Sequence, residues 1–199
     1  MAKEFLTAVK DRRSFYGISK EAVLSDEKIQ EIIRHAIQFA PSAFNSQSAR
    51  VLLLLGKEHD RLWELTKDVL RKIVPSENFA ATEQKIDSFK NGYGTVLYFE
   101  DQTVVAELQN KFAAYKDNFP RWSEQSSGML QFIIWTALEE EGLGASLQHY
   151  SPLIDEGVQK NWQVPDTWKL IAQMPFGKPI AVPDPKESQP LETRFKVFK

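Results

Sequence analysis

Apolar residues recur along this chain at two periods, and the switches between them mark out the elements. AKEFLTAVK, residues 2–10, puts Phe5, Leu6 and Val9 on one face of a short amphipathic helix. After Ser25, the residues Ile29, Ile32, Ile33, Ala36, Ile37 and Ala40 fall at helical spacing. Ser25 can cap that helix, Asp26 and Glu27 face its positive end, and Pro41 closes the pattern. A polar loop, PSAFNSQSAR, leads into VLLLL at 51–55, which has strand length. Gly56 and Lys57 open a helical stretch to about Val74, stopped by Pro75. Residues 79–90 read as a further helix, NGYG at 91–94 as a turn, and TVLYFE at 95–100 as a buried strand, being β-branched and aromatic.

A helix runs on through about Tyr115, and a longer one is expected over 122–141. There Leu130, Ile133, Ile134, Ala137 and Leu138 line one face, and Met129, Phe132 and Trp135 widen it. A helix apolar over most of its circumference is central, or buried in a subunit interface. Gly142 suits a left-handed cap, LGASLQHY at 143–150 reads as a strand, Pro152 to Trp162 as a short helix, and WKLIAQMPF at 168–176 as a last strand. Four prolines after Gly177 exclude a long helix in the tail, whose end, RFKVFK, alternates and should pack on something. Strands separated by helices predict an α/β or α+β sheet layered with helices, in one domain spanning 1–199.

Composition changes this picture little. Hydrophobic residues make up 42% and the net charge is −2, which supports a globular core and gives no electrostatic case for nucleic acid. No apolar run approaches the roughly 20 residues of a membrane span, and the N-terminus has no apolar signal core. Cysteine is absent, which excludes disulfides and thiolate chemistry and fits a cytoplasmic protein. His35, His59 and His149 stand far apart, so no metal is expected. There is no GxGxxG after a strand, no P-loop and no GxSxG. Acid pairs at Asp26-Glu27, Glu100-Asp101, the Glu139 run and Asp155-Glu156 sit where solvated helix ends would put them, and His149 reads as a satisfied structural histidine.

Four stretches are left: Arg12-Arg13-Ser14, PSAFNSQ at 41–47, GLGAS at 142–146, and the tail with Lys178, Lys186 and Arg194. Singly, they read as a helix end, a loop, a cap and a solvated tail. Together they describe a site for a flat, polar, anionic molecule. Cations would hold a phosphate, amides and hydroxyls would bond ring heteroatoms, and glycine-rich backbone would lie along a ring edge.

This set, in this order, resembles the nitroreductase family of FMN-dependent oxidoreductases, and the likeness covers nearly the whole chain. GLGASLQHYSP and RFKVF look like its short branch, which includes the copper-induced nitroreductase. The resemblance implies an α+β fold, a layered mixed sheet flanked by helices, with a long central helix at the interface of a homodimer. It implies two FMN sites at that interface. Arg12 and Ser14 would contact the phosphate and ribityl chain, with Arg13 near the flavin's polar edge. Ser42, Ala43, Asn45 and Gln47 would come from the partner subunit, Gly144 and Ala145 would approach the N5 edge, and Lys186 and Arg194 would complete the phosphate grip, with Lys178 competing. Phe44, Phe112, Tyr115 or Trp122 could wall an acceptor pocket, or simply pack in the core.

Two departures stand out. Ser48 and Ala49 replace the Pro-Trp that often follows the loop glutamine, and Tyr16 replaces a frequent basic residue. Loss of that charge would leave the reduced flavin less stabilised. The expected activity is NAD(P)H-driven reduction of nitroaromatics or quinones in ping-pong order, with the chemistry carried by FMN and no catalytic side chain. A flavin-binding stress sensor with little turnover, and a cofactor-free helical interaction protein, are the alternatives.

Overall fold

The layering follows from one strand. In β3 (Gly94–Asp101), Val96 and Tyr98 enter one hydrophobic core while Leu97 and Phe99 enter another. A strand sunk between two cores must be apolar on both faces, which is why TVLYFE shows no polar alternation. The computed structural model describes residues 3–199. β2 (Ala49–Leu55) and β5 (Trp168–Pro179) flank β3, both antiparallel to it. β1 (Ile18–Ser19) and β4 (Gly144–Ala145) each pair antiparallel with β5, giving the order β1-β5-β3-β2 with β4 beside β5. The sheet is thus antiparallel rather than mixed, and an isolated parallel bridge joins Ser14 to Ala145 beside it.

α2 (Asp26–Phe39) and α6 (Phe119–Glu140) close the core around Tyr98, Ile134 and Leu138, and α1 (Phe5–Asp11) rests on α6. α3 (Gly56–Arg71), α4 (Phe79–Lys90) and α7 (Asp155–Trp162) close the other, around Trp63, Phe89 and Val158. The expected cap of α2 is present, Lys28 N–H donating to Ser25 Oγ at 3.2 Å. α5 (Gln102–Lys111) stops short of Tyr115, and a 3₁₀ turn, Ala113–Asn118, delivers the chain to α6. α6 therefore begins at Phe119 rather than 122, with Pro120 in its first turn.

The strand expected over 143–150 is mostly absent. Only Gly144 and Ala145 pair regularly, and contact resumes at Gln148 opposite Gln173. Pro175 explains the gap. Its carbonyl accepts from Ser146 N–H at 3.2 Å, but proline has no N–H to return.

Several apolar groups face outward. Ala8 is the buried residue of α1, while Phe5 and Leu6 are 63% and 77% exposed. Ala2, where the sequence pattern begins that helix, lies outside the described residues. Met129 and Phe132 on α6 are exposed too, as are Leu191, Phe195 and Phe198 near the end of the tail. Among the described residues no helix is long and apolar enough to cross a membrane.

Candidate functional site

Arg12 caps the C-terminus of α1, its N–H donating to Ala8 O at 2.8 Å. A solvated helix end does not describe it. The guanidinium lies 4.4 Å from the Trp135 ring centroid on α6, and its Nε is buried without a partner. Burial first, and the charge of Arg13 second, hold its pKa below the ordinary value. A buried, unpaired donor on a cation is a place where an anion binds well.

Ser14 bridges to Ala145, and Phe15 N–H donates to Ala145 O at 3.0 Å. The Arg-Arg-Ser and glycine-rich segments are thus one unit. Gly144 is glycine for a local reason: an added Cβ would come within 2.7 Å of the Phe15 side chain. A cleft of about 690 Å³ opens here, lined by Arg12, Arg13, Ser14 and Tyr16 on one side and by residues 181–187, including Lys186, on the other. Arg13 Nη2 donates to Asp184 O at 2.6 Å and ties the two sides together. Lys178 is instead engaged with Glu21 at 2.5 Å and does not line the cleft. Arg194 also lies outside this lining, just after the short 3₁₀ turn Leu191–Thr193 of the tail, its N–H donating to Leu191 O at 2.9 Å.

The loop 41–47 lines a different cleft of about 420 Å³, formed by Ser42, Ala43 and Phe44 with Trp122, Gln125 and Met129 of α6. The two clefts share no lining residue. Phe44, Asn45 and Gln47 all take positive φ, at 57°, 52° and 49°. For a phenylalanine this is a sparsely populated conformation, sustained because the surroundings over-determine it. Ser42 Oγ accepts from Gln47 N–H at 3.0 Å, and Arg50 Nη1 donates to Gln47 O at 2.8 Å. The Phe44 ring sits among Phe112, Tyr115, Phe119 and Trp122 with centroids 4.9–5.9 Å away, so all four expected aromatics share one cluster.

Sequence reasoning missed part of this. Glu100 is not at a solvated helix end: it is 0% exposed, and Ser48 Oγ donates to its Oε2 at 2.6 Å. Its neighbour Asp101 pairs with Arg50 at 3.0 Å and caps α5. Glu139 is likewise buried, held by Lys3 Nζ at 2.6 Å. His149 is exposed, and the structural histidine is His59. The available signal was position: Glu100 continues an apolar strand without a break.

Comparison with known proteins places the chain. It belongs to the nitroreductase family, whose sequence model matches residues 9–178. Nitroreductase CinD from Lactococcus lactis, solved in complex with chloramphenicol, is 45% identical with a TM-score of 0.90, over 98% of this chain and 100% of that one. Nitroreductase FRM2 of Saccharomyces cerevisiae is 31% identical over 185 residues, 92% of this chain and 91% of its own. A nitroreductase from Desulfitobacterium hafniense, solved with bound FMN, shares the fold at 18% identity, with a TM-score of 0.72 over the full length of both chains.

Proposed function

We propose that the protein is an FMN-dependent oxidoreductase working as a homodimer, with each FMN held between two copies. The observation that carries this reading is the division of the site. Arg12, Arg13, Ser14 and Lys186 gather on one cleft, while Ser42, Ala43, Asn45 and Gln47 stand on another part of the same chain. A second copy supplies the missing half. The outward apolar groups at Phe5, Leu6, Met129, Phe132 and the tail support such an interface.

In this reading Arg12 Nε, Ser14 and Lys186 hold the phosphate and ribityl chain, and Gly144 and Ala145 border the ring. Arg194 comes to the phosphate by way of the tail. When bound, FMN supplies hydride transfer from a reduced nicotinamide to an electron-poor acceptor. The side chains bind and orient; none moves a proton. CinD has also been solved with 4-nitrophenol and with nicotinic acid, at 46% identity to this chain, which supports nitroaromatic acceptors and a nicotinamide donor. Tyr16 on the cleft wall puts a neutral group where a cation would favour the reduced ring, which supports the stress-sensor alternative.

Absorbance of the protein mixed with FMN, and light scattering of the same sample, test the cofactor and the dimer. NADH oxidation driven by a nitroaromatic or a quinone separates enzyme from sensor: appreciable turnover rejects the sensor. Arg12→Ala and Arg194→Ala should each weaken FMN binding by about 1.5–3 kcal/mol, the usual worth of a charge-assisted contact. Unchanged affinity in Arg194→Ala removes that residue from the phosphate.

A further inference from the structure

The two adjacent arginines of the cleft are held in place by different means. Arg13 is fixed by its bond to Asp184 O at 2.6 Å. Among the described residues no carboxylate pairs with Arg12. Glu139 of α6 attracts the guanidinium, but its carboxylate is taken by Lys3 Nζ at 2.6 Å, and the same Lys3 reaches Asp11 at 3.3 Å. What lies against the Arg12 charge is the Trp135 ring, with its centroid 4.4 Å from the guanidinium carbon.

Trp135 has the features of a platform. It is 8% exposed, belongs to the core around Ile134 and Leu138, and does not line the cleft. Arg12 is brought to it because α1 rests on α6 with Ala8 buried, and the Arg12 N–H closes the end of α1 on Ala8 O at 2.8 Å. The kind of contact matters. A carboxylate would take a pair of the guanidinium's N–H donors and cancel its charge. An aromatic face leaves the charge in place. Because the donors lie in the guanidinium plane, a ring over its flat side holds the cation without occupying them.

We propose that Trp135 is a positioning residue for anion recognition: its indole holds the Arg12 guanidinium at the cleft and leaves both charge and donors to a ligand phosphate. The assignment of that phosphate to Arg12 rests on the function proposed above.

FMN and riboflavin differ by the phosphate, so the ratio of their dissociation constants isolates it. Both are titrated into the wild type and the variants, followed by flavin fluorescence. The wild type should prefer FMN, and Arg12→Ala should lower that preference roughly tenfold or more. Trp135→Met puts an adaptable apolar chain in place of the ring and should lower it roughly fivefold, with riboflavin affinity unchanged. Trp135→Phe keeps a weaker aromatic face, loses less packing, and should lower it about twofold. Added to Arg12→Ala, Trp135→Met should lower it no further, because the ring acts through the guanidinium. Equal weakening of FMN and riboflavin in the Trp135 variants makes the ring a packing group and overturns the proposal. If Trp135→Met does not fold, Trp135→Phe decides by the same ratio. A drop in Arg12→Ala with none in the Trp135 variants removes the positioning role and leaves the phosphate on Arg12. An Arg12→Ala variant with the full wild-type preference removes that assignment, and the positioning role with it.

Discussion

β3 carries a buried polar group near each end, and the two are built differently. At one end Thr95 faces α3. Trp63 Nε1 can only donate, so Thr95 Oγ1 accepts from it at 3.0 Å. Lys90 O can only accept, so the neutral His59 ring carries its hydrogen on Nε2 and donates it there at 3.1 Å, which leaves Nδ1 to accept from Thr95 Oγ1 at 2.8 Å. Each polar atom has its partner, and the histidine tautomer is determined. At the other end, on the opposite face, Glu100 has a single partner and an orphaned oxygen. The closed network joins α3, β3 and α4, elements that pack against one core. The open one sits under the strained loop. A satisfied network fixes structure, whereas a half-satisfied one leaves free energy that a change of proton or loop position can release.

Removing the shared hydroxyl should break the closed network most severely. Thr95→Val keeps the volume but leaves Trp63 Nε1 and His59 Nδ1 both buried and unpaired. At roughly 1–3 kcal/mol for each orphaned group, a loss of about 3 kcal/mol or more is expected in urea unfolding. A loss below 1 kcal/mol would mean that water reaches the network.

The two ends also take opposite sides in the response to pH. Burial depresses the His59 pKa from 6.5 to about 4, so as pH falls through that window the unfolded chain gains a proton that the folded chain refuses. Stability should drop by up to about 3 kcal/mol between those values. Glu100 acts in the other direction. Its pKa is raised from 4.5 to about 7, so stability is full below 4.5 and declines as pH rises toward 7. In the wild type the slopes partly cancel across mildly acidic pH. Glu100→Gln should leave the His59 slope unopposed, and thermal melts at several pH values in both proteins read the difference. Identical profiles would deny Glu100 its buried proton.

The contrast was only half visible in the sequence. Long segments with a clear period were legible: α2 with its Ser25 cap, the central strand, and α6 with Leu130, Ile134 and Leu138 inward. The meeting of Arg12–Ser14 with Lys186 was expected only from the family resemblance; the short β1, whose pairing with β5 brings the two segments to one cleft, left no pattern in the sequence. Periodicity reports which face is apolar, not what covers the end of a strand. Glu100 therefore read as solvated, since nothing local shows that Ser48 and α6 close over it. The exchange of roles between His59 and His149 has the same origin: burial of a polar side chain is decided by partners distant in sequence, Thr95 in one case and none in the other. Pro175 was a readable signal, because a proline inside a strand flanked on both sides forces a gap on one of them.

Ser48→Ala should have the smallest effect. It removes one neutral hydrogen bond at a site that already tolerates an orphaned oxygen, so the loss at pH 6 should be about 1 kcal/mol, well below that of Thr95→Val. The two substitutions delete the same kind of group from opposite ends of one strand, which makes their ratio informative. Comparable losses would mean that the Glu100 end is as tightly satisfied as the His59 end.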